Sequence, residues 1–161
     1  MKNYDYSSNG AYFITICTRH RQNILGDITV GEGLRALPSS VSESSNGLRA
    51  LPSVKLTNLG VEVEKAILFI NSNYKDAVVD KYVIMPNHIH LIIIIHTDVP
   101  HMKVYDIVGR LKSFTTNECK QIIWQRSFFD HIIRDENDYK RICQYIETNP
   151  AKWLEDKLYE E

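Results

Sequence analysis

The chain has 161 residues, of which 43% are hydrophobic and 24% charged, and its formal net charge is −1. A domain of this size and composition can bury a core without disulfides or a structural metal, and its near-neutral charge excludes a simple polycationic nucleic-acid binder. The longest apolar run, Leu91–Ile95, falls far short of the roughly 20 residues that span a bilayer.

Met1–Asn9 is polar and shows no signal-peptide pattern. After the Asn9-Gly10 turn, Ala11–Thr18 (AYFITICT) is rich in β-branched and aromatic residues and reads as a strand. Its Cys17 joins Cys119 and Cys143 in an odd set without a CxxC pair, the pattern of reduced thiols in a cytoplasmic protein. Residues 31–55 contain GLRALPS twice, at Gly33–Ser39 and Gly47–Ser53. Prolines and serines mark this stretch as a flexible surface insertion in an otherwise single domain spanning 1–161. The exact repeat records a DNA duplication rather than a structural period.

Thr57 is an N-cap candidate three residues before Gly60, and Val61, Ala66, Ile67 and Ile70 follow at helical spacing. Asn71–Lys75 ends that helix. Ala77–Met85 and Leu91–Ile95 read as strands joined at Met85-Pro86-Asn87, hence a hairpin whose second strand begins at His88. A helix is expected over roughly 101–121, from Val104, Ile107, Val108, Leu111 and Phe114. Phe128–Arg134 (FFDHIIR) reads as a further strand, and Asp135–Thr148 as a final helix capped by Asp135 or Asn137. The order β-α-β-β-α-β-α predicts an α+β fold: a ferredoxin-like, split βαβ antiparallel sheet with helices on one face, plus a C-terminal helix.

His88 and His90 are two apart in a strand, so both imidazoles point to one face while Ile89 enters the core. Two imidazoles on one face can converge on a divalent cation. In the last helix, Tyr139, Ile142, Cys143 and Ile146 form one apolar stripe, which predicts a core position for Tyr139. Tyr145 lies about 110° from the centre of that stripe. Asn149 sits four residues on, beside Tyr145, and Pro150 is expected to end the helix there. A tyrosine beside a cation site suits phosphodiester chemistry, which needs a nucleophile and neutralisation of phosphoryl charge. Arg110, Lys112 and Arg134 are candidates for phosphate contacts. The remaining basic clusters, Arg19-His20-Arg21 and Lys140-Arg141, read as solvated faces. Trp124, beside Ile122 and Ile123, reads as core, with stacking on an unpaired base as its alternative.

Together, MPNHIHLIIII (Met85–Ile95), WQRSFFDHIIRDENDYKRICQYIETNP (Trp124–Pro150), YFITICT and GRLKSF (Gly109–Phe114) resemble the single-tyrosine HUH transposases, specifically their REP-associated tyrosine transposase (IS200-like) branch. The likeness covers the chain apart from residues 31–55 and the tail. It implies a ferredoxin-like fold, with His88 and His90 as the metal-binding pair, Asn149 as a third ligand and Tyr145 as nucleophile. It further implies Mg²⁺ or Mn²⁺ as cofactor and a single-stranded DNA hairpin as substrate, cut and rejoined through a 5′-phosphotyrosine. His131, within the matched motif, is expected to orient the strand or a neighbour. The insertion and the modest charge depart from the pattern without touching these motifs.

Two other readings use the same residues. One is a non-cleaving module of the same fold that recognises hairpin DNA. The other is an unrelated metal-dependent hydrolase, whose activity would survive Tyr145→Phe; it lacks a nearby carboxylate, because Asp98 lies past the strand and Glu147 is turned away from Tyr145. The sequence leaves monomer and homodimer both open.

Overall fold

The computed structural model describes residues 10–29, 52–96 and 103–155. Strand β1 (Gly10–Cys17) is followed by a 3₁₀ turn at Arg19–Arg21, then β2 (Gly26–Thr29), β3 (Ser53–Leu56), helix α1 (Asn58–Asn73), β4 (Ala77–Ile84), β5 (His88–Ile95), α2 (Val104–Cys119), β6 (Phe129–Ile133), α3 (Glu136–Thr148) and a 3₁₀ segment at Asn149–Glu155. β1, β4, β5 and β6 form an antiparallel sheet in the order β4-β5-β1-β6. This is the ferredoxin-like arrangement: β1 and β4 flank β5, and α1 makes the crossover between them.

Strand alternation divides the core into two layers. Tyr12, Ile14, Ile16, Ile89, Leu91 and Ile93 point to one face and pack against Val63, Ala66, Ile67 and Ile70 of α1 and Val104, Ile107, Val108 and Leu111 of α2. On the other face Ile92 meets Ile142 and Ile146 of α3, with Phe13, Val83, Tyr139 and Cys143 around them. A bulge between Val79 and Lys81 inserts Asp80 and changes the parity of β4. Ala77, Val79, Tyr82 and Ile84 therefore all serve the α1/α2 layer, while Val83 serves the α3 layer.

The helix starts follow their caps. The Thr57 hydroxyl accepts from Gly60 N–H at 3.2 Å and donates to the Ile24 carbonyl at 2.7 Å, which ties α1 to the segment before β2. Gly60 is required there, because a Cβ would stand 2.0 Å from the Leu25 carbonyl oxygen. Asp135, not Asn137, caps α3 by accepting from Asp138 N–H at 2.9 Å.

Several expectations are corrected. Gly10 already belongs to β1, which stops at Cys17, and Thr18 forms only an isolated bridge with Trp124. The β2–β3 ribbon has no counterpart among the expected elements; its strands are four residues each, too short for a pattern. It takes up residues 53–55 of the expected insertion, whose stretch 31–51 lies outside the described residues. α1 runs on through Asn71 to Asn73. Tyr139 is only half-buried, and its hydroxyl donates to Asp80, the bulge residue. Asn149 keeps right-handed helical geometry (φ −57°, ψ −44°) in spite of Pro150. Among the described residues no helix is long and apolar enough to cross a membrane. None of the three cysteines is in a disulfide.

Candidate active site

β5 carries the histidines into the α3 layer. His88 pairs across the sheet with Cys17, and His90 with Thr15. Both imidazoles are buried, and their Nε2 atoms lie 3.0 Å apart. The outer nitrogens are held by short contacts: His88 Nδ1 donates to Asn87 Oδ1 at 2.8 Å, and His90 Nδ1 meets the Thr15 hydroxyl at 2.8 Å. Because Asn87 Oδ1 can only accept, His88 carries a proton on Nδ1, and in the neutral ring its Nε2 lone pair faces His90. His90 has two ways to complete the pair. Thr15 can donate to Nδ1, leaving a proton on Nε2 that bridges to His88. Alternatively Nδ1 donates to Thr15 and both Nε2 lone pairs face a shared cation. Burial, and then the neighbouring His88, push the His90 pKa well below the usual histidine range, so His90 is neutral at physiological pH.

Rings from three elements enclose the pair. Phe13 of β1 stacks on His90 at 5.2 Å between centroids. Trp153 stacks on His88 at 5.9 Å. Tyr145 of α3 stands edge-on to both His90 (5.1 Å) and Phe13 (6.0 Å). Its hydroxyl lies 3.3 Å from His90 Nε2, yet the side chain is 41% exposed. Tyr145 is thus the member of the cluster that a large substrate can reach.

Asn149 falls between Tyr145, which touches His90, and Trp153, which touches His88. Because the backbone stays helical through Asn149, its side chain lies one turn from Tyr145 on the same flank. It is 2% exposed, and its Oδ1 is buried without a hydrogen bond, while the residue makes other contacts. Among the described residues no three His, Cys, Asp or Glu side chains converge on one point, so any cation here would have two imidazoles and an amide as its protein donors. That set fits a divalent ion. The two Nε2 atoms, 3.0 Å apart on one face, are close enough that both could serve one ion.

The three basic candidates are not brought to this face. Arg110 Nη1 donates to the Tyr74 hydroxyl at 2.9 Å, and its guanidinium lies over that ring on the α1/α2 side. Lys112 Nζ donates to the carbonyls of Gln125, Arg126 and Ser127 at 2.9, 3.2 and 3.0 Å. That burial lowers its pKa, and the ammonium acts as a clasp on the approach to β6. Arg134 is exposed and follows Ile133, which pairs with Ala11. It therefore sits at the end of the sheet opposite His88. Trp124 is core, donating from Nε1 to the Thr115 hydroxyl at 2.6 Å. His131 meets Asp138 at 2.8 Å and so links β6 to α3. Glu147 faces away toward Lys81; Asp98 lies outside the described residues. Nothing in the sequence pattern marks Thr15, Phe13, Asn87 and Trp153 as site residues, yet all four border the histidines. Strand alternation put Phe13 and Thr15 on one face, but only the register reveals that this is the histidine face.

No protein-family model matches the chain. An uncharacterized protein of Haemophilus influenzae is 30% identical over 183 aligned residues, covering 99% of this chain and 90% of that protein. A second protein of that organism, named "Putative REP-associated tyrosine transposase", is 30% identical over 82 residues, covering 43% of this chain and 47% of that protein. The solved structure of a REP-associated tyrosine transposase bound to a REP hairpin has the same fold. Its TM-score is 0.65 at 22% identity, over 95% of this chain and 74% of that one. The chain has the fold of a REP-associated tyrosine transposase, and part of it is similar in sequence to a protein named as one. In this chain the three motif-bearing elements β5, β6 and α3 lie around one face of the sheet, with β1 between β5 and β6.

Proposed function

We propose that the protein is a transposase-type enzyme that binds hairpin DNA and cuts and rejoins its single strand through a phosphotyrosine link, with Mg²⁺ or Mn²⁺ as cofactor. The observation that carries this is the Tyr145 hydroxyl 3.3 Å from His90 Nε2, itself 3.0 Å from His88 Nε2. An exposed phenol beside two buried imidazoles is a nucleophile at an electrophile-binding site. The hairpin is brought to this chain from its fold relative, which is bound to one.

Attack of Tyr145 Oη on the scissile phosphorus forms the Oη–P bond and breaks the P–O3′ bond. The phenol gives up its proton and the departing 3′-oxygen acquires one. One phosphodiester replaces another, so a second 3′-hydroxyl can reverse the step on the phosphotyrosine and join new ends without ATP. His88, His90 and Asn149 would hold the cation, which when bound supplies Lewis-acid stabilisation of the phosphoryl and leaving oxygens. Phe13 fixes the Tyr145 and His90 rings by edge and face contacts, so the nucleophile is oriented before substrate arrives. Thr15 and Asn87 hold the outer histidine nitrogens.

A covalent-adduct assay tests the proposal. Wild type is incubated with labelled hairpin DNA from the flanks of its own gene and Mg²⁺ or Mn²⁺, then run on a denaturing gel beside Tyr145→Phe and a metal-free control. A shifted band that needs both the metal and Tyr145 is the expected result. Tight binding without an adduct would instead make the protein a non-cleaving hairpin module. Cleavage persisting in Tyr145→Phe would overturn the assignment of the nucleophile.

A further inference from the structure

The doublet Phe128-Phe129 is split by the sheet. Phe128 turns to the α1/α2 layer, where it meets the Tyr105 ring at 5.1 Å and lies under the Lys112 ammonium. Phe129 turns the other way and is 61% exposed. It belongs to neither core cluster, so burial does not explain it. It also lies on an edge strand, where charged residues ordinarily guard against aggregation and a bare phenylalanine is a liability.

Its position in the register is specific. Phe129 pairs with Thr15, and Thr15 pairs with His90. Directly opposed residues share a face, so Phe129, Thr15 and His90 form one row on the α3 side. Two strand spacings put the Phe129 Cα about 10 Å from that of His90. The flank of α3 above this row is the one that carries Tyr145. Asp138 on that flank reaches His131 of β6, and Tyr145 lies seven residues, two turns, further along the same stripe. Tyr145 thus looks over the open strip of sheet that Phe129 borders.

We infer that Phe129 is a stacking platform for an unpaired nucleobase of the DNA strand, within a few nucleotides of the phosphate that Tyr145 attacks. This rests on the nuclease reading above. A span of about 10 Å corresponds to roughly three nucleotides at the 3.4 Å spacing of a stacked strand, and fewer when the strand is extended. A phenyl face accepts any base, so Phe129 contributes affinity and positioning rather than sequence choice. The contact also explains how a chain of net charge −1 can hold DNA: stacking supplements scarce phosphate contacts.

The test uses the full chain carrying Tyr145→Phe, so that the strand stays uncut. The probe is a hairpin oligonucleotide from the gene's flanks, with 2-aminopurine substituted at one unpaired tail position at a time. One position, or two adjacent ones, should be quenched severalfold on binding. Phe129→Ala should abolish that quench and weaken hairpin binding about tenfold, while Phe129→Trp should retain both. No position whose fluorescence depends on residue 129, or equal binding by Phe129→Ala, overturns the inference. So does a concentration-dependent dimer of the wild type that Phe129→Ala dissociates, because the ring would then serve a second copy of the chain. The adduct assay on chains that keep Tyr145 is read separately: a wild type that quenches at the Phe129-dependent position yet forms no adduct refutes nuclease chemistry and leaves the stacking site standing.

Discussion

Thr15→Val removes one hydroxyl from the buried side of the histidine pair and little else. Thr15 is buried in the middle of β1, and valine matches its shape and its preference for strand. The lost group is the Oγ1 that meets His90 Nδ1 at 2.8 Å. In the cation-bound tautomer Nδ1 carries the proton and Thr15 accepts it, so valine leaves a buried N–H unpaired. Such a group costs about 1–3 kcal/mol, equivalent to roughly 5- to 150-fold in an equilibrium constant. That range contains the 10- to 100-fold loss typical when a partner orienting a metal ligand is removed. Mn²⁺ binding to the variant, followed by electron paramagnetic resonance or calorimetry, should weaken by about that factor. Thr15→Ser, which keeps the hydroxyl, should return it to within a few-fold of wild type. Nitrogen-15 shifts of His90 should report the proton moving to Nδ1 when the wild type binds Mn²⁺. If Thr15→Val and wild type bind Mn²⁺ equally, the hydroxyl does not orient His90. If the wild type binds no Mn²⁺, the pair is bridged by a proton and the shared-cation tautomer is refuted.

Three further outcomes are expected. Tyr139→Phe should keep adduct formation while Tyr145→Phe abolishes it on the same denaturing gel, because the Tyr139 hydroxyl is engaged by Asp80 rather than aimed at the histidines; an adduct lost with Tyr139 would reverse the assignment. Lys112→Met should lower stability by about 1–3 kcal/mol, since three backbone carbonyls lose their donor, or roughly 3–10 °C in melting temperature for a domain of this size. The salt dependence of its hairpin binding should be unchanged, and a slope of log K against log salt reduced by about one would make Lys112 a phosphate contact after all. Asp138 is held down to about 2 by hydrogen bonds from Arg141 and His131. Its contribution is therefore present above the ordinary aspartate range near 4 and is lost as pH falls from about 4 toward 2. Thermal melts between pH 2 and 5 should show Asp138→Asn with a shallower acid slope than wild type, and identical slopes would mean that the pairing stabilises nothing.

Much of the candidate site was legible because side-chain direction within one element is a local property. A period of two sent His88 and His90 to one face and Ile89 to the other; a period near 3.6 set Tyr145 off the Ile142–Ile146 stripe; Thr57 and Asp135 marked helix starts by their cap chemistry. What one element's period cannot determine is which residue of another element it will meet. Thr15 and His90 are 75 residues apart in sequence, and they meet only because packing both sheet faces sets the β1–β5 register. The same holds for Trp153 against His88, whose contact depends on the chain remaining helical past Asn149 under the constraint of burial. Charge was legible as charge, but not its destination. Arg110 and Lys112 have long stems whose heads go wherever the fold offers acceptors, here a tyrosine and three carbonyls. The β2–β3 ribbon is too short to carry a period at all, and only its pairing makes it a strand pair. Sequence by itself determined which residues could do the chemistry and which way each faces from its own backbone; tertiary structure decided which of them stand together, because register and burial are properties of the packed sheet and not of any one segment.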